Sequence, residues 1–130
     1  MHLLDTNVAI HVRDRTSGIK GRIASLGVRP KLSLLTWVEL EGGVPKFGEL
    51  SLDRRRSIDA LLQSFDFLPC DAPVVRAYAR IIAAAGFSRR RIIDRLIAAT
   101  AIVHDLALIT MNETDFADIP DLRLEAWPAQ

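Results

Sequence analysis

The chain has 130 residues, 17 Lys and Arg against 16 Asp and Glu, a formal net charge of +1, and 49% hydrophobic residues. That length accommodates one domain, residues 1–130, around one apolar core, and the near-neutral balance excludes a polycation acting through bulk charge. A single cysteine, Cys70, excludes an internal disulfide and suits a reducing cytoplasm, while His2, His11 and His104 are scattered without zinc spacing. No apolar run approaches ~20 residues and no basic-apolar-small leader opens the chain, so neither a membrane span nor an export signal is expected.

In chain order, Met1 to Leu4 predicts a short strand closed by Asp5. Thr6 to Val12 predicts a helix, with Val8, Ala9 and Val12 at helical spacing. Thr16 to Leu26 is a second helical stretch, weakened by Gly18 and Gly21. After the Gly27 to Pro30 turn, Lys31 to Leu35 predicts a second strand. Thr36 to Leu40 starts a helix that Gly42, Gly43 and Pro45 end or bend. Leu52 to Phe65 is amphipathic, with Ile58, Leu61, Leu62 and Phe65 on the inward face and Arg54 to Arg56 outward.

Phe67 to Cys70 predicts a third short strand. Ala72 to Ala85 is a helix with Pro73 near its start and Gly86 at its stop. Ile92 to Val103 is apolar on nearly every side, which predicts a helix buried by other elements. Leu106 to Ile109 fits a covered parallel strand, the polar segment Thr110 to Asp115 follows, and Leu122 to Trp127 can add one more strand.

Short strands alternating with helices of ten or more residues indicate a parallel sheet covered by helices. Ligands of such sheets collect beyond the carboxyl ends of the strands. Four acids suit that edge: Asp5 after the first strand, Glu39 in the first turns after the second, Asp94 at the start of the central helix, and Asp115 past the strand it feeds. Each has a structural alternative. Asp5 can cap a helix, Glu39 can be a surface residue with Glu41 as its competitor, Asp94 can answer the helix dipole, and Asp115 can form a turn. Together they carry more weight than any one alone.

Carboxylates gathered without lysine or histidine between them raise one another's pKa. A hard divalent cation removes the conflict, and oxygen-only ligands suit Mg²⁺ or Mn²⁺. Such a centre serves phosphodiester hydrolysis by metal-activated water.

Leu3-Leu4-Asp5-Thr6-Asn7, Val38-Glu39-Leu40 with Gly43, Asp94 in Asp-Arg-Leu-Ile-Ala-Ala-Thr-Ala, and Thr110-Met-Asn112-Glu-Thr-Asp115-Phe116 together resemble PIN domains. Within them the chain is similar to VapC-type ribonuclease toxins of toxin–antitoxin pairs, over almost its whole length. The resemblance implies a PIN-like three-layer α/β/α sandwich with a central, mostly parallel sheet of four to five strands. It implies a metal-dependent endoribonuclease with Asp5, Glu39, Asp94 and Asp115 at the acidic positions, metal held by Asp5, Asp94 and Asp115, and Thr6 and Asn112 in support. It further implies a homodimer, an RNA substrate, silencing by a small VapB-type antitoxin, and operator DNA reached only through that antitoxin. Two departures stand out: Arg95 follows Asp94 where an apolar residue is common, and His104-Asp105 stands where glycine often ends the helix. Glu113 is an additional carboxylate with no assigned role.

Two basic runs remain, Arg54 to Arg56 and Arg89 to Arg91. The first reads equally well as solvated surface. The second precedes Asp94, so Arg89, Arg90 and Arg91 are expected to face RNA phosphates, and Arg95 either joins them or simply faces solvent. The acidic edge is expected to attract a basic segment of an inhibitor, and some of Trp37, Val38 and Leu40 are expected to stay exposed for a partner. From other classes, a PIN-like module that binds RNA or protein without cutting, or a phosphatase on another α/β fold, is also compatible. The phosphatase lacks a Gly-rich phosphate loop here.

Overall fold

The structure, a computed structural model, describes residues 1–129. The five strands are short: β1 (His2–Leu4), β2 (Leu32–Ser33), β3 (Phe67–Leu68), β4 (Ala107–Thr110) and β5 (Leu124–Ala126). The helices are α1 (Thr6–Arg13), α2 (Ile19–Ser25), α3 (Leu34–Gly42), α4 (Glu49–Ser64), α5 (Ala72–Ala85) and α6 (Ile92–Val103). Strands β1, β4 and β5 form one parallel ladder and β2 and β3 a second. A parallel bridge from Leu3 to Lys31 joins them, giving the order β3-β2-β1-β4-β5.

Alternation along the central strands divides the core between two faces. Leu3 and Leu108 turn toward Val74, Ala77 and Ile81 of α5 and Ile97 of α6. Leu4 and Ile109 turn the other way, toward Val8 of α1, Leu40 of α3 and Ile58 and Leu61 of α4. Each fully buried Leu or Ile of this kind is worth about 1.5–3 kcal/mol. This is the three-layer α/β/α arrangement the sequence implied, with every strand pair parallel.

The boundaries differ where capping outweighs strand propensity. The second strand, expected over 31–35, ends at Ser33, whose hydroxyl accepts from the Leu35 amide at 3.0 Å and starts α3 at Leu34. Helix α4 begins at Glu49, ahead of the expected Leu52, and β3 keeps only Phe67 and Leu68. Helix α6 runs over the expected residues and stops at His104 without glycine, because Asp105 takes the left-handed conformation at φ 53°. Aspartate tolerates that region better than most residues, and here its carboxylate receives Arg123 Nη2 at 3.0 Å.

The strand order sends the chain leftward from β1 and rightward from β4. The crevice between their carboxyl ends is therefore the place where a ligand fits.

Candidate active site

Asp5 leaves β1 in extended conformation and caps α1, its Oδ1 accepting from the Thr6 amide at 2.7 Å. Its Oδ2 accepts from the Thr110 hydroxyl, at the end of β4, at 3.0 Å. Only 3% of Asp5 is exposed. Capping and site membership are therefore one placement, not alternatives. Glu39 lies on the exposed side of α3, where its Oε1 accepts from the Thr6 hydroxyl at 2.6 Å. Thr6 is steadied in turn by Thr36 at 3.0 Å. Asp94 occupies the first turn of α6, and Asp115 the short helical turn after β4.

Asp5, Thr6, Glu39, Asp94 and Asp115 line one open cavity of about 400 Å³. Asn112 supports it from behind: its Nδ2 donates to Asp115 Oδ2 at 2.7 Å, and its own amide donates to Thr110 Oγ1 at 3.0 Å. Glu41 does not compete with Glu39. It pairs with Arg55 and accepts from Trp37 Nε1 at 2.9 Å, and these hydrogen bonds, Arg55's first, hold its pKa down at about 2.

The electrostatics identify the cavity as a place of unresolved negative charge. Burial pushes the Asp5 carboxyl up to about 6, with Asp94 and Glu39 adding repulsion against the Thr110 and Thr6 hydrogen bonds. Asp94 is raised by burial, then by Glu39 and Asp115, and opposed by Arg91. Among the described residues, no three His, Cys, Asp or Glu side chains already stand as a ligand set. Three of the four carboxylates, Asp5, Glu39 and Asp115, instead spend oxygens on Thr6, Thr110 and Asn112, while all four share one cavity. An all-oxygen donor set under mutual repulsion fits a hard divalent cation.

The basic run divides. Arg89 and Arg90 are exposed, whereas Arg91 turns inward, its Nη1 donating to the Asp115 carbonyl at 3.2 Å. Arg95 corrects the expectation that it faces RNA. It is 3% exposed, donates Nη1 to the Gly86 carbonyl and Nη2 to Asp118 at 3.2 Å, and ties the start of α6 to both flanking turns. Trp37 is half-buried against Phe67, ring centroids 5.9 Å apart, and Leu40 is in the core, so of the three proposed partner residues only Val38, 62% exposed, is open surface.

Two charged lining residues escaped the sequence: Arg13 and Arg54. Arg54 had been placed on the outward face of its helix. The i, i+4, i+7 alignment of Thr6, Ile10 and Arg13 on α1 was the available signal for Arg13.

A family model described as PIN domain matches residues 2–122. Ribonuclease VapC8 of Mycobacterium tuberculosis is 40% identical over 104 residues, covering 76% of this chain and 88% of that protein. Ribonuclease VapC4 of the same organism is 34% identical over 125 residues, covering 94% of this chain and 93% of that protein. FitAcB from Neisseria gonorrhoeae superposes with a TM-score of 0.72 at 31% identity, over 95% of this chain and 96% of that one. The DNA-bound VapBC of Salmonella typhimurium reaches a TM-score of 0.82 at 24% identity over 97% of each chain, a likeness of fold.

Proposed function

This chain belongs to the PIN-domain family, within it to the VapC type, and from that premise we propose that it is a Mg²⁺- or Mn²⁺-dependent endoribonuclease, the toxin of a toxin–antitoxin pair. The observation that carries the proposal is the convergence of Asp5, Glu39, Asp94 and Asp115, from four separate elements, on one cavity. Asp5, Asp94 and Asp115 would hold the ion through carboxylate oxygens. Bound there, it supplies an activated water and offsets charge on the leaving oxygen of a phosphodiester. Glu39 gives Oε1 to Thr6 and keeps Oε2 to orient water and accept its proton. Thr6, Thr110 and Asn112 fix the carboxylate rotamers, and exposed Arg89 and Arg90 attract the RNA backbone.

The partners proposed with this activity are an RNA substrate, a VapB-type antitoxin that presents a basic segment to the acidic cavity, a second copy of the chain, and operator DNA reached through the antitoxin. No helix among the described residues is long and apolar enough to cross a membrane, and cytoplasmic action is part of the proposal. The test is cleavage of single-stranded RNA by the purified protein in Mg²⁺ and in chelator, beside a small phosphate ester. RNA cut only with metal supports the proposal. Binding without cutting in Mg²⁺ favours a non-catalytic module, and turnover of the ester alone favours a phosphatase.

A further inference from the structure

The cavity that gathers the four acids is not acidic throughout. Asp5 caps the first turn of α1, and Arg13 closes the last, so the helix spaces them by about 12 Å along its axis. Arg13 is 8% exposed and lines the cavity beside Ile10 and Gly43. Its Nε and Nη2 fork onto the two oxygens of Asp14, at 2.9 and 3.3 Å, which leaves the Nη1 edge toward Gly43. A Cβ built on Gly43 would stand 3.5 Å from that Nη1, an ordinary contact, which places Nη1 beside the glycine on the cavity lining. Beside it, Arg54 of α4 brings Nη1 to within 3.4 Å of the same Asp14 oxygen and also lines the cavity.

Two guanidinium groups sharing one carboxylate carry an excess positive charge, and Asp14 holds the fork of Arg13 and one edge of Arg54. A planar fork with free donors is suited to phosphate oxygens. We propose that Arg13 and Arg54 form a phosphate grip at the basic end of this cavity, holding a phosphate of the RNA chain next to the one positioned over the acids. The proposal rests on the nuclease reading and adds the residues that set how the strand lies across the site. It also divides a basic run that the sequence left open between surface and site: Arg55 of that run is spent on Glu41, while Arg54 reaches the site.

The test measures binding of a short labelled single-stranded RNA in chelator, where no cutting occurs, across a salt series. Arg54→Ala should bind several-fold more weakly and flatten the dependence of log K on log salt by about 0.7, the value of one phosphate contact to a single strand. Arg54→Lys should keep most of the slope. Asp14→Asn should bind more tightly with a steeper slope, because both guanidinium groups lose their competing anion. Arg13→Gln should resemble Arg54→Ala. Should that variant fail to fold, Arg54 and Asp14 still decide, since both are partly exposed. Unchanged affinity and slope in Arg54→Ala and Asp14→Asn, in a wild-type protein that cuts RNA with Mg²⁺, would overturn the grip and leave the nuclease reading standing. A wild-type protein that neither binds nor cuts RNA overturns both.

Discussion

The hydroxyl of Thr110, at the end of β4, donates to Oδ2 of Asp5, at the end of β1, over 3.0 Å and across 105 positions of sequence. This bond ties the two central strands together at the crevice and partly offsets the burial of Asp5. Thr110→Val keeps the shape and removes the donor, along with the acceptor of the Asn112 amide. It is expected to cost about 1–3 kcal/mol in urea unfolding and to raise the Asp5 pKa further above its value of about 6. Carboxyl NMR titration beside a denaturation curve checks both. An unmoved Asp5 titration would refute the link.

Asp5 also sets a pH dependence. Its folded pKa is raised from 3.8 to about 6, so between those values the native state holds a proton that the unfolded chain has lost. The metal-free protein therefore loses stability as pH rises through that window and levels off above it, by at most about 3 kcal/mol from this group. Asp5→Asn retains a side-chain acceptor for the helix cap and should flatten this component. Melting temperatures in chelator from pH 4 to about 7 read the effect.

Asp94→Asn removes one charge from the repelling cluster with little change in shape. Its RNA cleavage in Mg²⁺ is expected to collapse, while metal-free stability holds or rises by about 0.5–2 kcal/mol. Added Mg²⁺ should stabilise wild-type protein more than the variant. A purely helix-starting Asp94 gives the reverse: lost stability with retained activity. Melts in chelator and in Mg²⁺, run with a cleavage assay, separate the two.

The arginines near α6 should separate by role. Arg95→Met leaves the Gly86 carbonyl and Asp118 without their donor, for an expected loss of about 1–3 kcal/mol and no change in the salt slope of RNA binding. Arg89→Ala with Arg90→Ala should do the opposite, lowering the slope and leaving the melting temperature near wild type. A reduced slope in Arg95→Met would return that residue to the RNA surface.

Most of the architecture was legible in the chain itself, because its signals are local or periodic. Alternating short strands and longer helices specify a parallel, helix-covered sheet. The run of α6, apolar on nearly every side, marks a covered helix, and the rule that ligands gather at strand ends selected Asp5, Glu39, Asp94 and Asp115. What remained hidden depends on which side chain wins a contact between distant segments. Arg95 looked like a surface cation because a sequence does not show that Gly86 and Asp118 close over it. Glu39 and Glu41 were indistinguishable until α3 turned one to Thr6 and the other to Arg55. Arg13 and Arg54 sit 41 positions apart and share one carboxylate only because α1 packs beside α4. Periodicity sets which face a residue occupies; only packing decides what that face meets.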